Sequence, residues 1–494
     1  MDFHDIKILS PEISMGALGI IIILLDMITN RKGFLATVSV LGLAVPLGFS
    51  LYLCGLVDSD TEGKLSGVYG TVLIDQFSLF FKFFILWTLA LVILSSTDYL
   101  SKMGRLRGEY HALLIFSASG MMLLPAVTDL ISIYIAIELT ALPLAALIAI
   151  RRDSHSTEAG IKFLLLSAMS SAVLLYGMAL IYGFTGSTEI GIIIERIAML
   201  SADSGPFGER VILLAVVLIV AGIGFKISAA PFQMWVPDVY EGAPTPITSY
   251  LSVASKAAGF AIMLRIFYMA FGDIRIDWAS LFAILSAVSM TVGNLAAVIQ
   301  TNIKRMLAYS TVAHAGFLLM GLAAVGTQAD LFETPMGPGS VLFYLVAYAV
   351  TNLAAFFVII AIVNSTGSNM IRNFAGMGQR APVLAIVLSI SMISLLGIPP
   401  TVGFMGKLYI FSAAINSGLT WLVICGVLNS VVSAYYYLRV IRTMYMSEPE
   451  SDTSIQIGIP PRLAIGIVGI GIIMLGIIPS AVMNAAEKAV IVFF

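Results

Sequence analysis

The 494 residues predict an all-α polytopic membrane protein of about fourteen transmembrane helices. Three observations carry that expectation. Hydrophobic residues make up 59% of the chain and charged residues 11%, with mean hydropathy +1.00; a soluble domain carries about 25% charged residues. Fourteen apolar runs are long enough to cross a bilayer core, which takes about 20 helical residues. Prolines and glycines interrupt two of these runs without ending them. A water-soluble globule and a disordered chain are both excluded, because so apolar a chain can neither cover its own surface nor stay solvated.

The runs lie near 12–29, 34–57, 73–96, 109–126, 128–150, 158–183, 211–236, 246–271, 278–300, 304–326, 339–364, 382–414, 419–442 and 460–485. The chain opens on the acidic, polar MDFHDIKILSPE, unlike the basic start of a signal peptide, so the first run is read as a retained span. Only Pro125 to Asp129 divides runs four and five. The loops after odd-numbered spans hold fourteen Lys and Arg, from Arg31 to Arg462, and the opposite face six. By the positive-inside rule both termini lie on the outer side. The glycines Gly466, Gly469 and Gly471 in the last run lack the strand of a nucleotide loop and suit close helix packing.

Net charge −2 gives no nucleic-acid footprint. Cys54 and Cys425 are too few for an iron–sulfur cluster and are read as thiols facing lipid or the core rather than as a disulfide. The four histidines show no haem or zinc spacing. No redox cofactor or metal is expected on this chain.

Six basic residues fall inside spans: Lys82, Lys162, Lys226, Lys256, Arg265 and Lys407. A charge at the bilayer centre costs roughly 2.5–3.5 kcal/mol, less where a long stem can snorkel to water. Arg265, toward the outer end of span eight, is expected to reach the surface or Asp273, and Lys82 in span three to snorkel. Lys162 lies one turn into span six, where snorkelling and function compete. Lys226, Lys256 and Lys407 sit near the middle of their spans, as do Glu138 in span five and His314 in span ten. Three central lysines would cost roughly 8–10 kcal/mol uncompensated, more than a packing role justifies, although buried polar contacts that merely hold helices together remain the competing reading. Desolvation pushes a lysine toward the neutral form and a nearby carboxylate pulls it back. A Lys beside Glu138 would hold its proton and release it when the Glu moves away. Groups at one depth in successive spans form a row along which protons could pass.

Span seven contains Lys226-Ile-Ser-Ala-Ala-Pro231, and span twelve contains Gly397-Ile-Pro399-Pro400 followed by Lys407. Proline removes a helix hydrogen bond, and paired breaks in two halves point to a transport site. The breaks are five spans apart, as are Glu138 and His314. This predicts helices 1–3 over 1–108, a five-helix unit over 109–271, an inverted second unit over 278–442, and a C-terminal loop with helix fourteen over 443–494.

The stretch 226–260, KISAAPFQMWVPDVYEGAPTPITSYLSVASKAAGF, resembles the antiporter-like membrane subunits of respiratory complex I, most closely the subunit N family of NADH-quinone oxidoreductases (subunit 2 in mitochondria and chloroplasts). IAIELTALPLAAL around Glu138, AGIKFLLLSAMSSA around Lys162, NIKRMLAYSTVAHAGF around His314 and LLGIPPTVGFMGKLYIF around Lys407 extend the resemblance over almost the whole chain. It implies discontinuous helices seven and twelve and one proton channel. Glu138 and Lys226 match the ion pair, Lys256 the connecting lysine, Lys407 the lysine nearest the outer exit, Lys162 a helix-six lysine and His314 a polar position in helix ten. The sister subunits L and M usually carry His at the position of Lys256. Subunit N usually reads Pro-Phe-His-x-Trp, where this chain has Pro231-Phe232-Gln233-Met234-Trp235; Gln cannot titrate.

The resemblance implies a translocase subunit without a redox site of its own, in a prokaryotic inner membrane. NAD or another donor (ferredoxin or a deazaflavin), FMN, iron–sulfur clusters and quinone would belong to partner subunits. The partners implied are a neighbouring antiporter-like subunit, small membrane subunits and the lipid bilayer, with no nucleic acid. A multisubunit monovalent cation/proton antiporter shares the fold and the lysines and is the alternative; a passive scaffold would need the spans but not the charges.

Overall fold

Where no water reaches the backbone, each amide must bond within its own segment, so apolar runs of this length become helices. A computed structural model describes residues 3–29, 32–61, 63–101, 103, 106–203, 205–270, 278–324, 336–449 and 455–493. Its principal helices are α1 (Ser10–Ile28), α2 (Gly33–Ser59), α3 (Gln76–Leu100), α4 (Arg107–Leu123), α5 (Leu130–Ile148), α6 (Ser154–Thr185), α7 (Gly205–Ile227), α8 (Thr245–Met269), α9 (Trp278–Val298), α10 (Ile303–Ala323), α11 (Met336–Thr366), α12 (Pro382–Leu396), α13 (Val402–Asn416), α14 (Thr420–Met446), α15 (Ile459–Ile477) and α16 (Ser480–Val490). Twelve described helices are individually long and apolar enough to cross a membrane. The 17-residue α4 falls just short in length, and α12 and α13 divide one apolar run between them.

Short polar side chains set several starts. Asp75 caps α3 in a reciprocal box with Ser78, and Asp129, Asp153 and Asn302 accept from the first-turn amides of α5, α6 and α10. Three boundaries differ from the sequence reading. Residues 72–75 pair with 64–67 in a hairpin, β1 (Lys64–Gly67) and β2 (Val72–Asp75), so the third span begins at Gln76 rather than at 73. The segment after α6 contains a further helix, Ile190–Asp203. The last run is not one span to residue 485. It ends at Ile477, and beyond Pro479 α16 turns Met483, Ala486, Ala489 and Val490 inward.

Helices α8, α10 and α11 are almost wholly enclosed, whereas α1, α2 and α15 lie at the periphery. Peripheral side chains such as Leu24, Leu41, Leu51 and Ile470 remain exposed and apolar, as a lipid-facing surface requires. Small residues permit the close approaches: Gly293 of α9 lies against the backbone of Ala313, and Gly316 of α10 against Met290. Cys54 and Cys425 are both free thiols.

Two expectations about charge are corrected. Lys82 does not snorkel. It is fully buried and paired with Glu12 of α1. Arg265 does not reach the surface either. Its guanidinium is fully buried, Nη1 lies 2.6 Å from Asp75 Oδ2 and Nη2 lies 3.0 Å from Oδ1, and both Nε and Nη2 donate to Pro125 O. Asp273 lies outside the described residues. Sequence depth misled because a carboxylate from a distant part of the chain, Glu12 of α1 for Lys82 and Asp75 at the end of β2 for Arg265, satisfies each cation in place of water.

Candidate functional site

Both helix breaks close in the same way. Helix α7 ends at Ile227, Ser228 is left-handed (φ 63°), and Ala229 N bonds Gly224 O at 2.9 Å. Helix α12 ends at Leu396, Gly397 is left-handed (φ 92°), and Ile398 N bonds Ile393 O at 3.2 Å. A cis peptide precedes Pro231 in the first break and Pro400 in the second; Pro399 contributes that bond's other residue. The carbonyls freed by a break need partners, and the two breaks find different ones. Phe225 O accepts from the Trp235 indole at 3.0 Å. Leu396 O accepts from Lys407 Nζ at 2.7 Å, and the same ammonium reaches Ser430 Oγ at 3.1 Å and lies 4.7 Å from the Phe317 ring centre. The bare face of Gly397 makes this possible: a Cβ there would lie 2.9 Å from Lys407 Cδ.

In the first half of the row, Glu138 of α5 and Lys226 of α7 meet the same face of α6. Ser171 Oγ donates to Glu138 Oε1, and Lys226 Nζ donates to Ser167 Oγ at 2.9 Å. Ser167 and Ser171 are one helical turn apart, and the carboxylate acts electrostatically on the ammonium. Beyond Lys226 lies a cavity of about 10 Å³ lined by Thr140, Ser255, Gly259 and apolar neighbours, about the room of one water. Gly259 lets α8 approach Lys226 closely: a Cβ there would stand 2.6 Å from Ile227 Cγ2.

Lys256 follows the π-helical turn Leu251–Ser255 of α8 and donates to Thr311 O of α10 at 2.6 Å. Such turns place one extra residue on a helix and re-aim its side chains. Thr311 Oγ1 is 2.9 Å from Tyr348 OH, whose ring lies 5.1 Å from that of His314. His314 is held at both nitrogens, by Tyr344 OH at Nδ1 (2.7 Å) and Tyr437 OH at Nε2 (3.2 Å). Tyr437 OH also meets Ser310 Oγ at 2.6 Å. Lys256 and Lys407 both lie within electrostatic range of His314. Lys256, His314 and Lys407 are 1–4% exposed, while Glu138 and Lys226 are only half-buried in the isolated chain.

Lys162 is placed elsewhere. It pairs with Glu158 (2.8 Å) and Asp238 (2.9 Å) at the rim of a cavity of about 350 Å³ that also contains Arg151, Glu241 and Arg305. Burial pushes the Asp238 carboxyl up, but hydrogen bonds from Lys162 and Arg305 prevail and hold it below its ordinary value. Gln233 has a buried Oε1 without a hydrogen-bond partner among the described residues. The sequence reading missed Ser167, Ser171, Thr311, Tyr344, Tyr348, Tyr437 and Ser430. Ser167/Ser171 and Tyr344/Tyr348 carry a readable signal, polar groups four apart within an apolar run.

Residues 127–433 match the family described as NADH:quinone oxidoreductase/Mrp antiporter, TM. The NADH-quinone oxidoreductase subunit N of Dehalococcoides mccartyi is 42% identical over 483 residues, 97% of this chain and 98% of the relative; that of Trichlorobacter lovleyi is 41% identical over 98% and 97%. The chain belongs to the NADH-quinone oxidoreductase subunit N family. A chain of respiratory complex I from Thermus thermophilus superposes with TM-score 0.79 at 31% identity (97% of this chain, 99% of that one). A chain of the membrane-bound sulfane sulfur reductase, an archaeal respiratory membrane complex, gives 0.83 at 27% (98% and 96%). A chain of the Mrp complex from Dietzia sp. shares the fold, with 0.82 at 20% (99% and 97%). Membership makes this chain a membrane subunit of the NADH-quinone oxidoreductase type, a translocase complex.

Proposed function

We propose that this chain translocates protons as a membrane subunit of an NADH-quinone oxidoreductase, and that Glu138, Lys226, Lys256, His314 and Lys407 carry them laterally through the middle of the membrane. The observation that carries this reading is the character of the lysines' hydrogen-bond partners. Lys226, Lys256 and Lys407 rest on a hydroxyl, a carbonyl, and a carbonyl with a hydroxyl. These acceptors tolerate a neutral amine as well as an ammonium, so protonation can change without collapse of the site.

Glu138 sets the bias. With its carboxylate facing Lys226, the ammonium is favoured; when the carboxylate is protonated or withdrawn, desolvation dominates and the proton passes on. The water-sized cavity beside Ser255 and Gly259 links Lys226 to the Lys256 turn. Thr311, Tyr348, Tyr344 and Tyr437 supply hydroxyls around His314 that donate and accept. Lys407, beyond the second break, exchanges the outer proton. Lys162 belongs to the charged cavity at the inner face and helps gather protons there. Moving one charge against 100 mV costs about 2.3 kcal/mol, so the drive comes from a redox partner.

That partner side comprises NADH or another donor, FMN, iron–sulfur clusters and quinone, with a neighbouring antiporter-like subunit and small subunits beside this chain in a prokaryotic inner membrane, both termini outside. Two five-helix units, 109–271 and 278–442, are favoured by a repeated backbone exchange: Leu130 N to Thr188 O with Ile190 N to Thr128 O, and Ile303 N to Asn369 O with Ile371 N to Thr301 O, all 2.9–3.0 Å. Relatives near 40% identity over the whole chain favour this reading above a cation/proton antiporter.

Replacing Lys226 with Ala tests the proposal and separates it from a passive scaffold. The complex should assemble and reduce quinone, with pumping per electron reduced. Unchanged assembly and unchanged pumping would leave only the scaffold.

A further inference from the structure

Beside His314, α9 and α14 share a buried pair of amides that the proton row does not use. Asn429 of α14 donates from Nδ2 to Cys425 O at 3.0 Å and to Thr291 Oγ1 at 3.3 Å. A carbonyl can only accept, and the Thr291 hydroxyl already gives its proton to Ala287 O at 2.8 Å. These two neighbours fix which end of the Asn429 amide is the nitrogen. Its Oδ1 then faces a donor, Asn294 Nδ2 of α9, at 3.2 Å. That leaves Asn294 Oδ1 against the Tyr436 hydroxyl at 2.8 Å, so Tyr436 gives its single proton to Asn294. Asn294, Asn429 and Tyr436 are all buried, and neither amide titrates.

The direction set at Tyr436 carries over to His314. With its proton committed, the Tyr436 oxygen can only accept on its other side, where it meets Ser310 and Tyr437. Ser433, also near, gives its own proton to Ser430 O at 2.7 Å. If Tyr437 is the donor to Tyr436, its proton is used there. If Ser310 is the donor, Tyr437 must donate across its 2.6 Å contact with Ser310 Oγ. In both cases Tyr437 has no proton left for His314, and its 3.2 Å contact with Nε2 requires the proton to sit on Nε2. The other ring nitrogen agrees. Tyr344 OH lies 2.7 Å from Nδ1 and has no other hydrogen-bond partner among the described residues, so only a bare Nδ1 accepts its proton.

We propose that Asn294 and Asn429 are positioning residues that act through Tyr436 to hold neutral His314 in the tautomer with its proton on Nε2. Which nitrogen of a histidine carries the proton is set by the bonds the ring makes, and here a chain of fixed donors and acceptors running from a helix carbonyl decides it. On the proton row proposed above, His314 can then take up a proton only at Nδ1. That nitrogen faces Tyr344, whose ring packs against Gly406, the residue before Lys407. Uptake at His314 is therefore confined to its Lys407 side.

The test is infrared difference spectroscopy of the assembled complex at rest. Spectra with and without a nitrogen-15 label in the histidine rings, taken for the wild type and for His314→Gln, isolate the ring band of His314, which separates the two tautomers. In the wild type the Nε2–H form should exceed the Nδ1–H form about tenfold. Tyr436→Phe and Asn294→Leu each break the chain, and each should lower that excess about fivefold, the value of one neutral hydrogen bond. The double variant should lower it no further, because Asn294 acts only through Tyr436. Asn294→Asp keeps an oxygen for Tyr436 and should retain the wild-type excess. A packing role alone would move the thermal midpoint of the complex in Asn294→Leu and leave the tautomer as it was. If Asn294→Leu prevents assembly, Tyr436→Phe decides alone. A predominant Nδ1–H form in the wild type, or an unchanged excess in Tyr436→Phe, would overturn the proposal. The tautomer is read without turnover, so unaltered pumping in His314→Gln would count against the proton row and leave this ratio untouched.

Discussion

Two sets of intramembrane cations face different partners. Lys82 and Arg265 are bonded directly to carboxylates, Glu12 and Asp75. Lys226, Lys256 and Lys407 are bonded to neutral oxygens, and the one carboxylate of the row, Glu138, meets the same serine-lined face of α6 as Lys226, through Ser171 and Ser167. All five cost free energy to place in lipid. A direct ion pair offsets that cost by fixing the protonation state, since neither partner can neutralise without stranding the other. A neutral acceptor offsets less and leaves the proton free to go. The first arrangement holds helices together; the second can conduct.

That contrast is broken first at the pair. Asp75→Asn leaves the Arg265 guanidinium buried with only Pro125 O and weaker contacts, and should cost about 3–5 kcal/mol. The expected result is loss of assembled complex or a clear fall in its thermal midpoint. An Asp75→Leu/Arg265→Met double variant should recover most of the loss, which a stability series on the assembled complex would measure.

A smaller effect is expected where the partner is a hydroxyl. Tyr437→Phe removes the bonds to Ser310 and His314 Nε2 and keeps the ring. Stability should fall by about 1 kcal/mol, while pumping per electron falls and quinone reduction persists. Unaltered pumping would move Tyr437 from relay to packing.

The smallest effect concerns the charged cavity around Lys162 and Asp238. The Asp238 carboxyl is held below its ordinary value of 3.8 by Lys162 and Arg305. Its contribution to stability is therefore present above about pH 4 and is lost as pH falls through the depressed value. Asp238→Asn should flatten the acid limb of the stability profile and leave the neutral range nearly unchanged; an identical acid limb would show that the cluster is not linked to folding.

Much of this fold is legible in the sequence. Apolar length placed the helices, and Lys226-Ile-Ser-Ala-Ala-Pro231 and Gly397-Ile-Pro399-Pro400 located both breaks, because lipid permits few alternatives to a helix and few places to interrupt one. What escaped was contact across helices. The Glu12–Lys82 and Asp75–Arg265 pairs join residues 70 and 190 positions apart, and the sequence shows depth but not neighbours. The hydroxyls of Tyr344, Tyr348 and Tyr437 were hidden for the same reason, since an aromatic in an apolar run reads as packing. The β1–β2 hairpin escaped because Val72-Leu-Ile-Asp75 is apolar enough to pass for the start of a span.

The central claim rests on Lys256, which is buried, bonded only to Thr311 O among the described residues, and placed between the two halves of the row. Lys256→Met keeps the length and apolarity of the stem and removes the titrating group. Protons pumped per electron should be measured in vesicles containing the assembled complex. The account predicts normal assembly, continued quinone reduction and a lowered ratio; an assembled complex with the wild-type ratio would contradict it.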